Sequence, residues 1–361
     1  MSRAARILSV ALILGLAAAL AACGTGGGQG GGEEGGGKIA LLLPESKTTR
    51  YERHDRPIFT QAVKKLCPDC EILYSNADQD AAKQQQQAEA AITNGAEVLV
   101  LDPVDAEAAS AIVERAKQSD IPVLSYDRLV QNADLDGYIS FDNERVGRLQ
   151  GQWIVENVPE GGTIVMINGA PTDPNAALFK RGAHSVIDPS GIEIGAEYDT
   201  PDWSPDAAQR QMDQAITRLG RDNIDGVYAA NDGTAGGAIA AMRAAGFQEI
   251  PPTTGQDAEL AAVQRILAGT QGMTVYKAIR EEATTAAEMA VSLLRTGELP
   301  RDLETTGVDN GREEVPSVLL KPVVVTKDNI EETIIADRFW TVDEICTPEF
   351  RDACREAGLI E

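Results

Sequence analysis

From Lys38 onward the chain alternates short apolar runs with longer amphipathic stretches. Residues 38–43, 98–101, 163–167 and 226–229 are the continuous apolar runs expected of strands buried on both faces. Residues 71–74 and 122–126 read as two more strands. Between them the spacing predicts helices over 54–66, 80–94, 106–118 and 234–245, with Trp153 inside another. Gly95 is a stop signal for the second helix. The glutamine run at 84–87 lies within that helix, and Ala81, Ala88, Ala91 and Ile92 give it an apolar side. Asp173-Pro174 marks a helix start, a capping acid followed by proline at the first helical position. Repeated strand–helix units predict an α/β fold with parallel sheets covered on both faces, and the units are enough for two sheets. No repeat of about 20–50 residues is visible, which argues against a solenoid.

In open α/β sheets ligands sit beyond the carboxyl ends of the strands, so the residues that follow each apolar run carry the information. These are Glu45 with Lys47-Thr48-Thr49-Arg50-Tyr51, then Asp102-Pro103, Asp127-Arg128, Asp173-Pro174-Asn175, Asn231-Asp232, Gln256-Asp257 and Lys277. Almost every strand end offers a planar or charged polar group. Asp, Asn and Arg present paired donors or acceptors in one plane, which suits adjacent ring hydroxyls. Tyr51 and Trp203 can cover the flat C–H face of a sugar. Each signal has an ordinary alternative. Asp127-Arg128 reads equally as an internal ion pair, and Trp203 reads also as a core aromatic or part of a helix entry. The shared location gives the set its weight.

Catalysis has little support. No His stands near a Ser or Cys nucleophile, and no glycine-rich phosphate loop follows the first strand. The glycines at 233, 236 and 237 read as close packing at a helix start, with a phosphate cradle the weaker alternative. The acids within 199–206 lack calcium-loop spacing and read as a surface turn. No cofactor and no metal are expected.

Composition adds a location. Arg3 and Arg6 precede an apolar stretch that ends in Leu20-Ala21-Ala22-Cys23, the pattern of a secretory signal over residues 1–22. The stretch is short for a spanning helix. Leu-Ala-Ala-Cys resembles a bacterial lipobox, which implies cleavage before Cys23 and lipidation of that residue. Residues 23–37 are glycine-rich and read as a flexible tether between lipid and body. The formal charge of −24 argues against a nucleic-acid partner, since phosphate binding needs a basic surface. Hydrophobic content of 43% is ordinary for a globular chain, and the length suggests about two domains. Export permits disulfides. Cys67, Cys70, Cys346 and Cys354 allow three pairings, and the local one, Cys67 with Cys70 and Cys346 with Cys354, is the expectation. A redox motif at 67–70 and a zinc site are disfavoured, because the pair does not open a helix and neither His54 nor His184 lies near a cysteine pair.

Longer strings carry a resemblance. Tyr126-Asp127-Arg128-Leu129, the run Tyr138-Ile139-Ser140-Phe141-Asp142-Asn143-Glu144-Arg145-Val146-Gly147, residues 231–239, Gly255-Gln256-Asp257-Ala258-Glu259-Leu260 and residues 268–277 are similar, in order, to the bacterial periplasmic sugar-binding proteins of the xylose-binding type. The resemblance covers about residues 38–340. It implies a type I two-lobed fold, each lobe a parallel sheet flanked by helices, joined by a three-segment hinge. The lobes it implies are 38–142 with 278–308, and 143–277 with 309–345, leaving 346–361 as a tail. It implies ligand residues Arg50, Tyr51, Asp127, Arg128, Asn175, Trp203, Asn231, Asp257 and Lys277. Tyr51 departs from a usual Trp, Pro174 from a common Asn, and Lys180 lies near a family Arg position. The partners implied are a monosaccharide such as D-xylose, an ABC transporter permease with its cytoplasmic ATPase, and the membrane through a lipid anchor on a monomer. A related branch binds glucose, galactose or arabinose with similar motifs. A receptor for chemotaxis or for a sensor kinase would share the fold and the site.

Overall fold

The structure is a computed structural model that describes residues 36–361. The signal, Cys23 and the tether up to residue 35 lie outside the described residues. The first five strands are β1 (Lys38–Leu43), β2 (Glu71–Asn76), β3 (Val98–Leu101), β4 (Val123–Tyr126) and β5 (Gly137–Phe141). Next come β6 (Thr163–Asn168), β7 (Glu193–Asp199), β8 (Gly226–Ala229) and β9 (Thr274–Tyr276). The chain ends with β10 (Thr306–Asp309), β11 (Glu314–Leu320) and β12 (Val323–Val325).

One lobe is a sheet in the order β10-β11-β5-β4-β3-β1-β2, parallel except for the β10–β11 pair. Strand periodicity explains why β1 is apolar throughout. Ile39, Leu41 and Leu43 face the helices Arg56–Leu66 and Ile279–Thr296, whereas Ala40 and Leu42 face the helices Ala81–Thr93 and Ser110–Lys117. The second lobe is built on β7-β6-β8. The segment 252–257 continues that sheet through bridges from Val227 to Thr253 and from Gln256 to Val275, and β9 then pairs with β12. Here Ile164 and Met166 pack toward Phe179 and Ala183, and Val165 and Ile167 toward Met212 and Met242. The helices Asn143–Asn157 and Pro174–Ile187 touch backbone to backbone. A Cβ on Gly147 would stand 1.9 Å from the Phe179 carbonyl oxygen, and one on Gly182 would stand 2.1 Å from that of Glu144. That approach fixes how the two helices lie on each other, while the Asp173 cap and Pro174 set where the second begins.

Three crossings join the lobes, between β5 and the helix Asn143–Asn157, between β9 and the helix Ile279–Thr296, and between β11 and β12. One sequence boundary needs correction. The reading gave 309–345 to the second lobe, but β11 pairs in parallel with β5, Ser317 opposite Tyr138 and Leu320 opposite Phe141. The return to the second lobe comes after β11, because β11 finds its hydrogen-bond partner more than 170 residues earlier in the chain. The helix expected over 106–118 begins only at Ser110. The last sixteen residues are not a loose tail, for Cys354 is fully buried in a cluster with Phe339, Trp340 and Ile345. Both expected disulfides are present, Cys67–Cys70 and Cys346–Cys354. Among the described residues no helix is long and apolar enough to cross a membrane.

Candidate functional site

The carboxyl ends of both parallel sheets open onto one narrow cleft between the lobes. All nine residues singled out from the sequence line it. Arg50, Tyr51, Asp127 and Arg128 come from the first lobe, Asn175, Trp203, Asn231 and Asp257 from the second, and Lys277 from the crossing after β9. Thr48, Asp173, Phe179 and Gln256 complete the lining. Lys180 is not part of it and pairs instead with Glu197 at 2.8 Å and Asp199 at 3.3 Å.

The first-lobe wall is ionic and internally bonded. Arg50 donates from Nε and Nη2 to Asp55 at 3.1 and 2.7 Å, from Nη2 to Glu282 at 2.6 Å, and from Nη1 to Asp127 at 3.0 Å. Arg128 donates to the Pro103 carbonyl and to the Tyr51 hydroxyl, each at 3.2 Å, while its Nε lies 2.9 Å from Asp173 Oδ2 of the other lobe. Asp127 is the centre of this wall. Burial works to raise the pKa of its carboxyl, but Arg50, Lys277 and Arg128 outweigh burial and hold it at about 2. Its backbone is left-handed, with φ at 54°. Three donors on the Asp127 carbonyl hold that shape: Tyr138 Oη at 3.0 Å, Ser140 Oγ at 2.6 Å and, from the second lobe, Asn175 Nδ2 at 2.9 Å.

The second-lobe wall is mainly amide and aromatic. Asp173 caps the helix Pro174–Ile187 through the Asn175 N–H and accepts from Trp203 Nε1 at 3.0 Å. The indole lies on Gly169, where a Cβ would stand 2.0 Å from its Cη2, and meets Phe179 edge-on at 6.3 Å. Asn231 caps the helix Asp232–Ala244, its Oδ1 accepting from the Thr234 N–H at 2.9 Å. Asp257 Oδ1 is 3.0 Å from Lys277 Nζ, off the line of a hydrogen bond. Lys277 Nζ also lies 3.9 Å from Asp127 and 5.9 Å from the Phe179 ring centre. Burial lowers the pKa of that ammonium, and Asp257 and Asp127 more than reverse the effect. Asp127, Trp203 and Asp257 all have positive φ, of 54°, 52° and 89°. For an indole-bearing residue this is a strained backbone, held only because the surroundings over-determine it.

Thr48, Asp173 and Gln256 belong to the strand-end strings but not to the implied ligand set, and Phe179 belongs to neither. Phe179 follows Asn175 by one helical turn and so shares its face, a signal that could have found it. Nothing local marks Gly169 as the floor beneath the indole.

Known proteins show the same architecture. Residues 39–299 match the family model described as a periplasmic binding protein domain. The chain is 41% identical to the D-xylose-binding periplasmic proteins of Escherichia coli and of Haemophilus influenzae, over 85% of this chain and 92% of each relative. An ABC transporter solute binding protein from Clostridium phytofermentans, solved with bound β-D-glucose, superposes with a TM-score of 0.79 at 30% identity, over 85% of this chain and 99% of that one. By family model, by identity and by fold, this chain belongs to the periplasmic sugar-binding proteins of type I architecture, a family of binding proteins and not of enzymes.

Proposed function

We propose that the chain binds one monosaccharide, D-xylose foremost, in the inter-lobe cleft and hands it to an ABC transporter permease. The observation that carries this reading is convergence: charged forks from one lobe and amide and aromatic groups from the other line one shared cleft. Carboxylates and guanidinium groups suit paired hydroxyls, and Trp203 and Phe179 suit the apolar face of a ring. The relatives named as D-xylose-binding proteins support the pentose. The lobes are bridged here by Asn175 to Asp127 and Arg128 to Asp173, which supports a clamp whose closed population rises when sugar bonds to both walls. Cys23, with the lipobox-like residues before it, supports a lipid anchor on the outer face of the membrane. Calorimetry with a panel of pentoses and hexoses tests the reading, and the absence of tight binding to every member would end it. A glucose-type specificity is the second reading, favoured by the glucose-bound relative, and the same panel ranks the two. Mass spectrometry of the mature amino terminus tests the anchor. An unacylated Cys23 would remove it.

A further inference from the structure

The turn that brings Tyr51 to the cleft has a second face. Tyr51–Asp55 is a single π-helical turn. Its Arg53 and His54 do not line the cleft and instead meet the C-terminal segment. The His54 ring stacks on Phe339 with centroids 3.9 Å apart and planes 18° from parallel, and it meets Trp340 edge-on at 4.9 Å. The Arg53 guanidinium lies 5.5 Å over the Trp340 ring and pairs with Glu344. That C-terminal segment is fastened to the second lobe. Trp340 Nε1 donates to the Ala258 carbonyl at 2.8 Å, Gln264 Nε2 donates to the Ile345 carbonyl at 3.1 Å, and the Tyr276 hydroxyl donates to Asp337. The Cys346–Cys354 disulfide closes the segment. His54 therefore travels with one lobe and Phe339 with the other.

We infer that His54 and Arg53, engaging Phe339, Trp340 and Glu344, form a second closure contact outside the cleft, so that residues touching no sugar set sugar affinity and weaken it as the pH falls. This rests on the reading of the cleft as a sugar site that closes. The contact requires a neutral imidazole. His54 is buried, makes no hydrogen bond, and its Nε2 has no partner. A charged ring there would lose its hydration against two aromatic faces. Burial carries its pKa from the usual 6.5 down to about 4, with Arg53 and Arg50 adding to the shift and Asp55 and Glu344 opposing it. An imidazole released into water regains its ordinary value. The closure contribution is therefore complete above about pH 6.5 and is lost as the pH falls from there toward 4.

The test uses the full chain and two sugars, D-xylose and D-glucose, titrated by calorimetry at about pH 7.5 and about pH 5. The parent is expected to bind about tenfold more weakly at the lower pH. His54→Phe keeps a flat ring and removes the titration. It should stay within about twofold of the parent at the higher pH and lose most of the pH dependence. His54→Ala loses the stack and should bind several-fold more weakly at both. Glu344→Gln, at a solvent-exposed pair, should move affinity by less than about twofold. A parent and a His54→Phe variant with the same pH profile overturn the inference, as does unchanged affinity in His54→Ala. A parent that takes up neither sugar overturns the xylose and glucose readings instead. The contact is then judged by small-angle scattering, where a parent that does not expand on acidification overturns it.

Discussion

The two walls of the cleft solve one problem in different ways. The first-lobe wall is a buried ion network in which Arg50 spends four donors on Asp55, Asp127 and Glu282 before any ligand arrives. The second-lobe wall holds Trp203 and Asn231 through helix caps and one glycine contact, with Asp173 and Asn231 serving as the caps. The lesson is that pre-organisation by charge requires many partners, because each buried charge left alone costs several kcal/mol. Pre-organisation by shape requires one close approach and a cap. Disturbing the first wall should therefore reach both affinity and folding. Disturbing the second should separate into packing and capping effects.

The sharpest break is Asp127→Ala. It strips a partner from Arg50 and Lys277, so a loss of about 3–5 kcal/mol is expected in sugar affinity, with a lower melting temperature. Calorimetry together with a thermal melt checks it, and an affinity within about threefold of the parent would show that the ionic wall is scaffolding alone. Trp203→Ala comes next, opening a void over Gly169 and beside Phe179 that should cost about 3 kcal/mol of stability. Denaturant unfolding measures this, and a change below about 1 kcal/mol would mean that the indole is not packed as described. Asp257→Ala should weaken binding by about 2 kcal/mol, because Lys277 loses its nearest carboxylate. Unchanged affinity would remove Asp257 from the site. Asn231→Ala removes a helix cap and should lower stability by about 1 kcal/mol, with the melt again the readout. A further effect appears only in acid. Asp127 is held at about 2 against an ordinary 3.8, so its contribution is whole above about pH 4 and fades only as the pH falls toward 2. Acid titration of stability in the parent against Asp127→Asn isolates it, and coincident curves would contradict the shift.

Legibility differed along the chain for physical reasons. The strands β1, β3, β6 and β8 were readable because burial on both faces requires unbroken apolar runs. The strands β7 and β10 were not, since they stand at sheet edges and most of their residues meet solvent. Of the cleft, the polar groups just past each central strand could be listed from the sequence. Phe179 was not among them because it reads as an apolar helix residue.

By itself the sequence determined the alternation of strands and helices, the polar groups at the strand ends, and the two close cysteine pairs. These follow from backbone periodicity and short-range spacing. Tertiary structure alone decided that β11 pairs with β5, that Arg50 reaches Asp127 and Glu282, and that Trp203 lies on Gly169. It also decided that His54 meets Phe339. Each of these depends on segments remote in the chain approaching to within a few ångströms. The residue types at either end do not encode that distance.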